Sequence, residues 1–240
     1  MTLLIALRGI DPTNEESYII LGCDSRGVSE QEDAPTTRIQ INKFRKAFPI
    51  TKYSAVLIAG DAGKGLYLID EFKKERISDS QDTTDLAKMF SSFCKNQFRM
   101  IDTYTLSTSS AFPNVGFIFA GMNRNRKKSF CEPKIYLLGS EGLFSLSLKE
   151  NFHAEGMTLI ANYFLEKYYK ENLKINDACQ LVAQAIYDTQ RLNGNVGGPI
   201  NLLRIVPSGL QFIDADDFYT EWDEARIEEI VRGQLSFTPK

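Results

Sequence analysis

Threonine at position 2 is the residue whose chemistry the chain could use most economically. Removal of Met1 ahead of this small residue would leave Thr2 as the N-terminus, carrying a hydroxyl and a free α-amine together. Such a residue holds a nucleophile and its own general base. Other hydrolytic schemes have little to work with. The chain contains a single histidine, His153, so every Ser-His-Asp or Cys-His arrangement would have to pass through it. His153 lies between Phe152 and Ala154, where a helix is expected to begin, which suits a surface or capping role. A zinc site built on several histidines is excluded. The four cysteines, Cys23, Cys94, Cys131 and Cys179, show no CxxC spacing and read as reduced, mostly buried thiols of a cytoplasmic protein. No metal or organic cofactor is expected.

The elements that must hold Thr2 follow from the pattern. Residues 1–10 form a short apolar run ending in a turn signal at Gly9, a buried strand. Tyr18 to Cys23 is a second apolar strand, ending in Asp24-Ser25-Arg26. Residues 27–37 are polar, contain Pro35 and read as a loop, followed by an extended stretch from Arg38 to Ile50. Ser54 to Ala59 is a strand stopped by Gly60-Asp61-Ala62-Gly63. The period then becomes helical from Leu66 to about Arg76, and again from Asp82-Thr83-Thr84 to about Phe98, before an irregular Ser/Thr-rich stretch at 102–112. Strands are expected at 115–120, 134–138 and 143–148, with the basic turn 124–128 reading as a solvated loop. Helices are expected over Glu155 to Glu171 and Asn176 to Leu192, the latter capped by Asn176-Asp177. A closing hairpin joins 201–206 to 209–213, and residues 214–240 form an acidic, helical tail. Strand blocks alternating with helix pairs suggest an α+β fold of antiparallel sheets between helical layers, in one domain over 1–240.

Composition sets the outer bounds. The chain has 240 residues, 43% hydrophobic and 25% charged, with net charge −3. Those values are ordinary for a globular protein and give no electrostatic footprint for nucleic acid. No apolar run approaches the ~20 residues of a membrane helix, and no secretory leader is expected.

In this order the motifs resemble proteasome-type β subunits and their bacterial and archaeal relatives, within the N-terminal nucleophile (Ntn) hydrolases. Thr2-Leu3-Leu4 is similar to that family's N-terminal threonine strand, and Ile20 to Arg26 to its strand ending in Asp-Ser-Arg. Lys46-Ala47-Phe48-Pro49-Ile50 is similar to its Lys-x-x-x-Ile segment, Ile58 to Gly63 to its glycine turn, and Gly197 to Leu202 to its Gly-Gly segment. The resemblance implies a four-layer αββα sandwich and a threonine peptidase. Thr2 would attack the peptide carbonyl through Oγ with its α-amine, of reference pKa ~8, as base. Lys46, preferred to Lys43 by its spacing to Ile50, would lower the energy of the attacking hydroxyl. Asp24 would hold the lysine, Arg26 would brace the adjoining loop, and the Gly60 N–H would form the oxyanion hole. The implied partners are polypeptide or peptide substrates, a homo-oligomeric ring and a regulatory or unfoldase partner, with neither nucleic acid nor membrane.

Departures from the family are also visible. Twenty-two positions separate Thr2 from Asp24 and 22 separate Asp24 from Lys46, so both connections are enlarged. Asn193 and Val196 occupy the places of a usual Asp and Ser, and Glu155-Gly156-Met157-Thr158 lacks the usual supporting serine. No propeptide is expected, so that removal of Met1 alone would expose Thr2. A non-catalytic assembly subunit and an amidase for small amides are the alternatives to a peptidase.

Overall fold

The computed structural model describes residues 2–31, 34–105, 114–124 and 131–218. The apolar run at the start becomes strand β1 (Leu3–Asp11), which pairs antiparallel with β2 (Glu16–Cys23) and with β10 (Phe152–Gly156). β11 (Asn201–Val206) and β12 (Gly209–Ile213) extend this sheet in the order β10-β1-β2-β11-β12. A second sheet has the order β5-β6-β7-β8-β9, from Ala47–Thr51, Ser54–Gly60, Val115–Arg124, Cys131–Gly139 and Ser147–Lys149. Between the sheets in sequence, β3 (Gly27–Gln31) and β4 (Ala34–Ile41) make a separate two-stranded hairpin.

Alternation along β1 explains why its residues Leu3 to Leu7 are all apolar. Leu3, Ile5 and Leu7 point to helices α3 (Leu159–Tyr168) and α4 (Ile175–Leu192), where they meet Val182 and Ile186. Leu4 and Ala6 point the other way, into a core shared with Leu57, Ile118 and Ile135 of the second sheet. Over these five residues the strand is covered on both faces, which leaves no position for a polar residue. Helices α1 (Ala62–Phe72) and α2 (Thr83–Thr105) cover the far face of the second sheet. Their core is aromatic: Phe90 lies 4.9 Å from Phe72 and 5.0 Å from Phe117, and Phe98 lies 4.5 Å from Phe144, centroid to centroid. The layers therefore run helices, sheet, sheet, helices: the α+β, αββα sandwich of the Ntn type.

Several local expectations are corrected. Residues 27–31 and 34–37 are not loop, because their main chain lies in the paired strands β3 and β4. The extended stretch over 38–50 breaks at 42–46 before β5 begins. Residues 152–156 are a strand rather than a helix start, so His153 pairs with Ala6 of β1 instead of capping. Gly156, at φ +93°, then turns the chain, and α3 spans only 159–168. α2 runs on to Thr105, into the stretch read as irregular, and α1 starts four residues before the first expected apolar position and stops at Phe72. Leu143 and Phe144 adopt positive φ, so the strand expected at 143–148 shrinks to β9. Asn176-Asp177 do not cap α4; its first N–H groups include Ile175, which donates to Asp11 Oδ2 at 3.1 Å. The closing hairpin stands where expected. Most of the basic turn and of the acidic tail lie outside the described residues.

Candidate active site

Thr2 leads into β1, and two backbone contacts fix it. Its carbonyl accepts from Met157 N–H at 2.9 Å, and the register sets Leu3 against Gly156. A Cβ at position 156 would collide with the Thr2 carbonyl, so the close approach requires glycine.

β2 lies on the other side of β1, with Cys23 opposite Leu4, and this register delivers Asp24 to the start of β1. Asp24 N–H donates to Leu3 O at 3.2 Å, and Leu3 N–H donates to Asp24 Oδ1 at 3.0 Å. The same Oδ1 receives Lys46 Nζ at 2.7 Å. Oδ2 receives the backbone N–H groups of Arg26 and Gly197, each at 3.2 Å. The carboxylate has no solvent contact and Lys46 is 3% exposed. A pair removed from water this far is tolerated because every charge is met by donors or by its partner. Lys46 is itself placed by its carbonyl, which accepts from Ile58 N–H at 3.0 Å. Lys43 is exposed.

Arg26 does not pair with Asp24 through its guanidinium. It donates from Nε to Asn42 Oδ1 at 3.1 Å and from Nη1 to the Gly194 carbonyl, and its head packs on Gly197. Ser25 joins the same brace, donating from Oγ to Asn42 O at 3.0 Å and from N–H to Gly197 O at 3.0 Å. The base of the β3–β4 hairpin, the 193–198 turn and Asp24 are thereby locked together.

Gly60 ends β6 at φ +84°, and a side chain there would collide with the Asn114 carbonyl. Asp61, next in line, donates its N–H to Asn114 O at 2.7 Å and caps α1 by accepting Lys64 N–H at 3.0 Å.

Thr2, Arg26, Lys46 and Gly60 line one cavity of about 660 Å³, while Asp24 stands behind Lys46. Phe44, Ile58 and Met157 give the cavity an apolar wall, and Asp61 and Glu155 give it carboxylates. Burial, with the neighbouring Asp24 charge adding to it, pushes the Cys23 thiol up to about 12, so no thiolate competes as nucleophile at this point. Val196 is fully buried and Met157 is apolar, so neither supplies a hydroxyl near Thr2. With Met1 removed, the arrangement would suit acyl transfer: a hydroxyl and an amine on one residue, an ammonium on the cavity wall and a bare-backbone glycine turn facing the same space.

Sequence patterns do not mark Phe44 or Asn42, which lie in the turn between β4 and β5 and reach the site only through the tertiary fold. Gly197 carries a signal in the Gly-Gly pair, though its donation to Asp24 does not follow from that.

Comparison with known proteins identifies the family. The family model described as Proteasome subunit matches residues 15–203. The chain is similar to a Proteasome subunit beta of Streptomyces griseus, at 26% identity over 193 residues. That match covers 80% of this chain, which spans 65% of the relative's length. A family model matching most of the chain, on a sandwich with this layer order, places the protein in the proteasome subunit family.

Proposed function

We propose that the protein is an N-terminal threonine peptidase of proteasome type. The observation that carries this reading is the sealed Asp24–Lys46 pair behind a cavity that Thr2 lines. In this mechanism Thr2 is the N-terminal residue. Its neutral α-amine takes the proton from Oγ as the oxygen attacks a peptide carbonyl. The Lys46 ammonium lowers the energy of the developing alkoxide, and the Gly60 N–H donates to the oxyanion. Collapse expels the amine leaving group, which takes the proton from the α-ammonium and leaves an ester on Thr2. Water, deprotonated by the same amine, then hydrolyses the ester. Asp24 positions Lys46, and Arg26 holds the loop from which Asp24 projects.

The apolar wall from Phe44, Ile58 and Met157 favours peptides with an apolar side chain beside the scissile bond. The relative's description as a subunit supports assembly with other subunits, and the resemblance extends the reading to a homo-oligomeric ring that encloses the sites, served by a regulatory or unfoldase partner in the cytoplasm. Residues 1–240 act as one Ntn domain in this reading, with 214–240 as an assembly tail.

Thr2→Ala is expected to lower hydrolysis of a fluorogenic apolar peptide by about 10³-fold or more with the circular dichroism spectrum unchanged. Equal activity would remove the peptidase reading and its amidase variant together. The apolar side chains at 157 and 196 favour one second reading, a non-catalytic ring subunit. That reading expects wild type and Thr2→Ala to be equally inert.

A further inference from the structure

Four charged side chains line the cavity: Arg26, Lys46, Asp61 and Glu155. Three are engaged. Lys46 is bonded to Asp24 and all but buried. Arg26 donates to Asn42 and Gly194 and packs on Gly197. Asp61 caps α1 and lies 3.8 Å from the Lys64 ammonium. Glu155 stands apart. Its partner is His153 Nε2 at 3.1 Å, a ring that carries charge only when protonated, and no lysine or arginine among the described residues pairs with it. Its side chain is 37% exposed, in reach of a ligand.

Glu155 is also firmly placed. It lies on β10 opposite Leu4, and the next two residues along, Gly156 and Met157, hold the Thr2 carbonyl. The carboxylate is thus carried by a paired strand at the start of β1 rather than by a loop. Nearby are the apolar side chains of Met157, Phe44 and Ile58, which lower the local dielectric and strengthen attraction to a cation.

We infer that Glu155 is a specificity residue that selects a cationic group, a lysine or arginine side chain or a protonated amine, on the β10 side of Thr2. The inference rests on the proposed function only in taking the cavity as the place where peptide binds. An acidic group at the same place meets like charge without compensation, so discrimination comes from repulsion as well as attraction.

The test uses the full-length Thr2→Ala chain in its native assembly, which binds peptide without cutting it. Fluorescence anisotropy is measured with apolar peptides that differ at one position, Lys, norleucine or Glu, placed in turn on either side of the central apolar residue. At one placement the Lys peptide is expected to bind about tenfold tighter than the Glu peptide. Glu155→Gln, which keeps the shape and a hydrogen bond to His153, should bring the ratio to within about twofold, and Glu155→Lys should invert it. A ratio that Glu155→Gln leaves unchanged overturns the inference, as does equal weakening of all three peptides, the mark of a structural role. Hydrolysis of the same peptides by the Thr2 chain separates the two claims. Charge-ranked binding without cleavage sustains this inference and defeats the peptidase. Cleavage without charge ranking does the reverse, and a chain that binds none of the peptides defeats both.

Discussion

Replacing Lys46 by methionine removes the cation from a carboxylate that has no solvent contact. Three backbone N–H donors, from Leu3, Arg26 and Gly197, remain on Asp24, so the loss belongs at the lower end for a broken buried pair, about 3 kcal/mol. Urea unfolding measures it. Thr2→Ala, by contrast, should shift stability by less than about 1 kcal/mol, since Thr2 is held through its carbonyl. Lys46→Arg is not expected to restore either stability or turnover, because a planar guanidinium does not fit a site built for one Nζ donor at 2.7 Å. The two single variants therefore separate chemistry from folding. At this scale, the places of residues next to punctuation were legible, as distinct from their roles: Thr2 before an apolar strand, Asp24 at a strand end, and Gly60 at a turn. The preference for Lys46 over Lys43 came from spacing to Ile50, and the buried position of one against the exposure of the other gives it a physical basis. Asn42 was illegible because its partners Ser25 and Arg26 meet it only across the base of the β3–β4 hairpin.

Asp11 ends β1 and ties it to α4. Burial opposes ionisation there, but N–H donors from Thr13 and Ile175 outweigh it and hold the Asp11 carboxyl below its ordinary value. A lowered folded value means that the contribution to stability is present above the unfolded value of ~3.9 and fades as pH falls through the folded one. Asp11→Ala should accordingly cost about 1 kcal/mol near pH 7 and progressively less below pH ~4, as read from urea unfolding across that range. The cap on α4 thus comes from a residue 164 positions away, which is why the local candidates Asn176 and Asp177 misled the sequence reading. The same limit hid β10: a five-residue strand adjoining a helix shares its apolar residues with the helical period, and only pairing with β1 decides. Longer elements were legible: β1, β2 and β11 as apolar runs, because both faces of each meet a core, and α4 by its helical period. At Gly22 the packing is close enough that a Cβ would collide with Val182 and crowd Ile186, so Gly22→Ala should push α4 from the sheet and cost about 1–3 kcal/mol by thermal or urea unfolding.

Over the whole molecule, the three core layers account for where the thiols go. Cys23, Cys94 and Cys179 are buried and free, and burial pushes Cys179 up to about 12 and raises Cys94 as well. Cys131, at the start of β8, is half-buried. A thiol reagent should therefore modify at most one cysteine per native chain quickly, with the other three reacting only on unfolding. The layer order was legible from strands alternating with helix pairs, whereas the enlarged connection between Asp24 and Lys46 gave no sign that it forms a hairpin locked at its base by Arg26 and Asn42. That brace joins the global architecture to Thr2, whose reactivity is the central claim. The most direct test is intact mass after treatment with a peptide epoxyketone, which needs the hydroxyl and the free amine of one N-terminal residue. The account predicts one adduct per chain, on a chain whose first residue is Thr2, and none on Thr2→Ala. A wild-type chain that carries no adduct, or an adduct that survives Thr2→Ala, would contradict it.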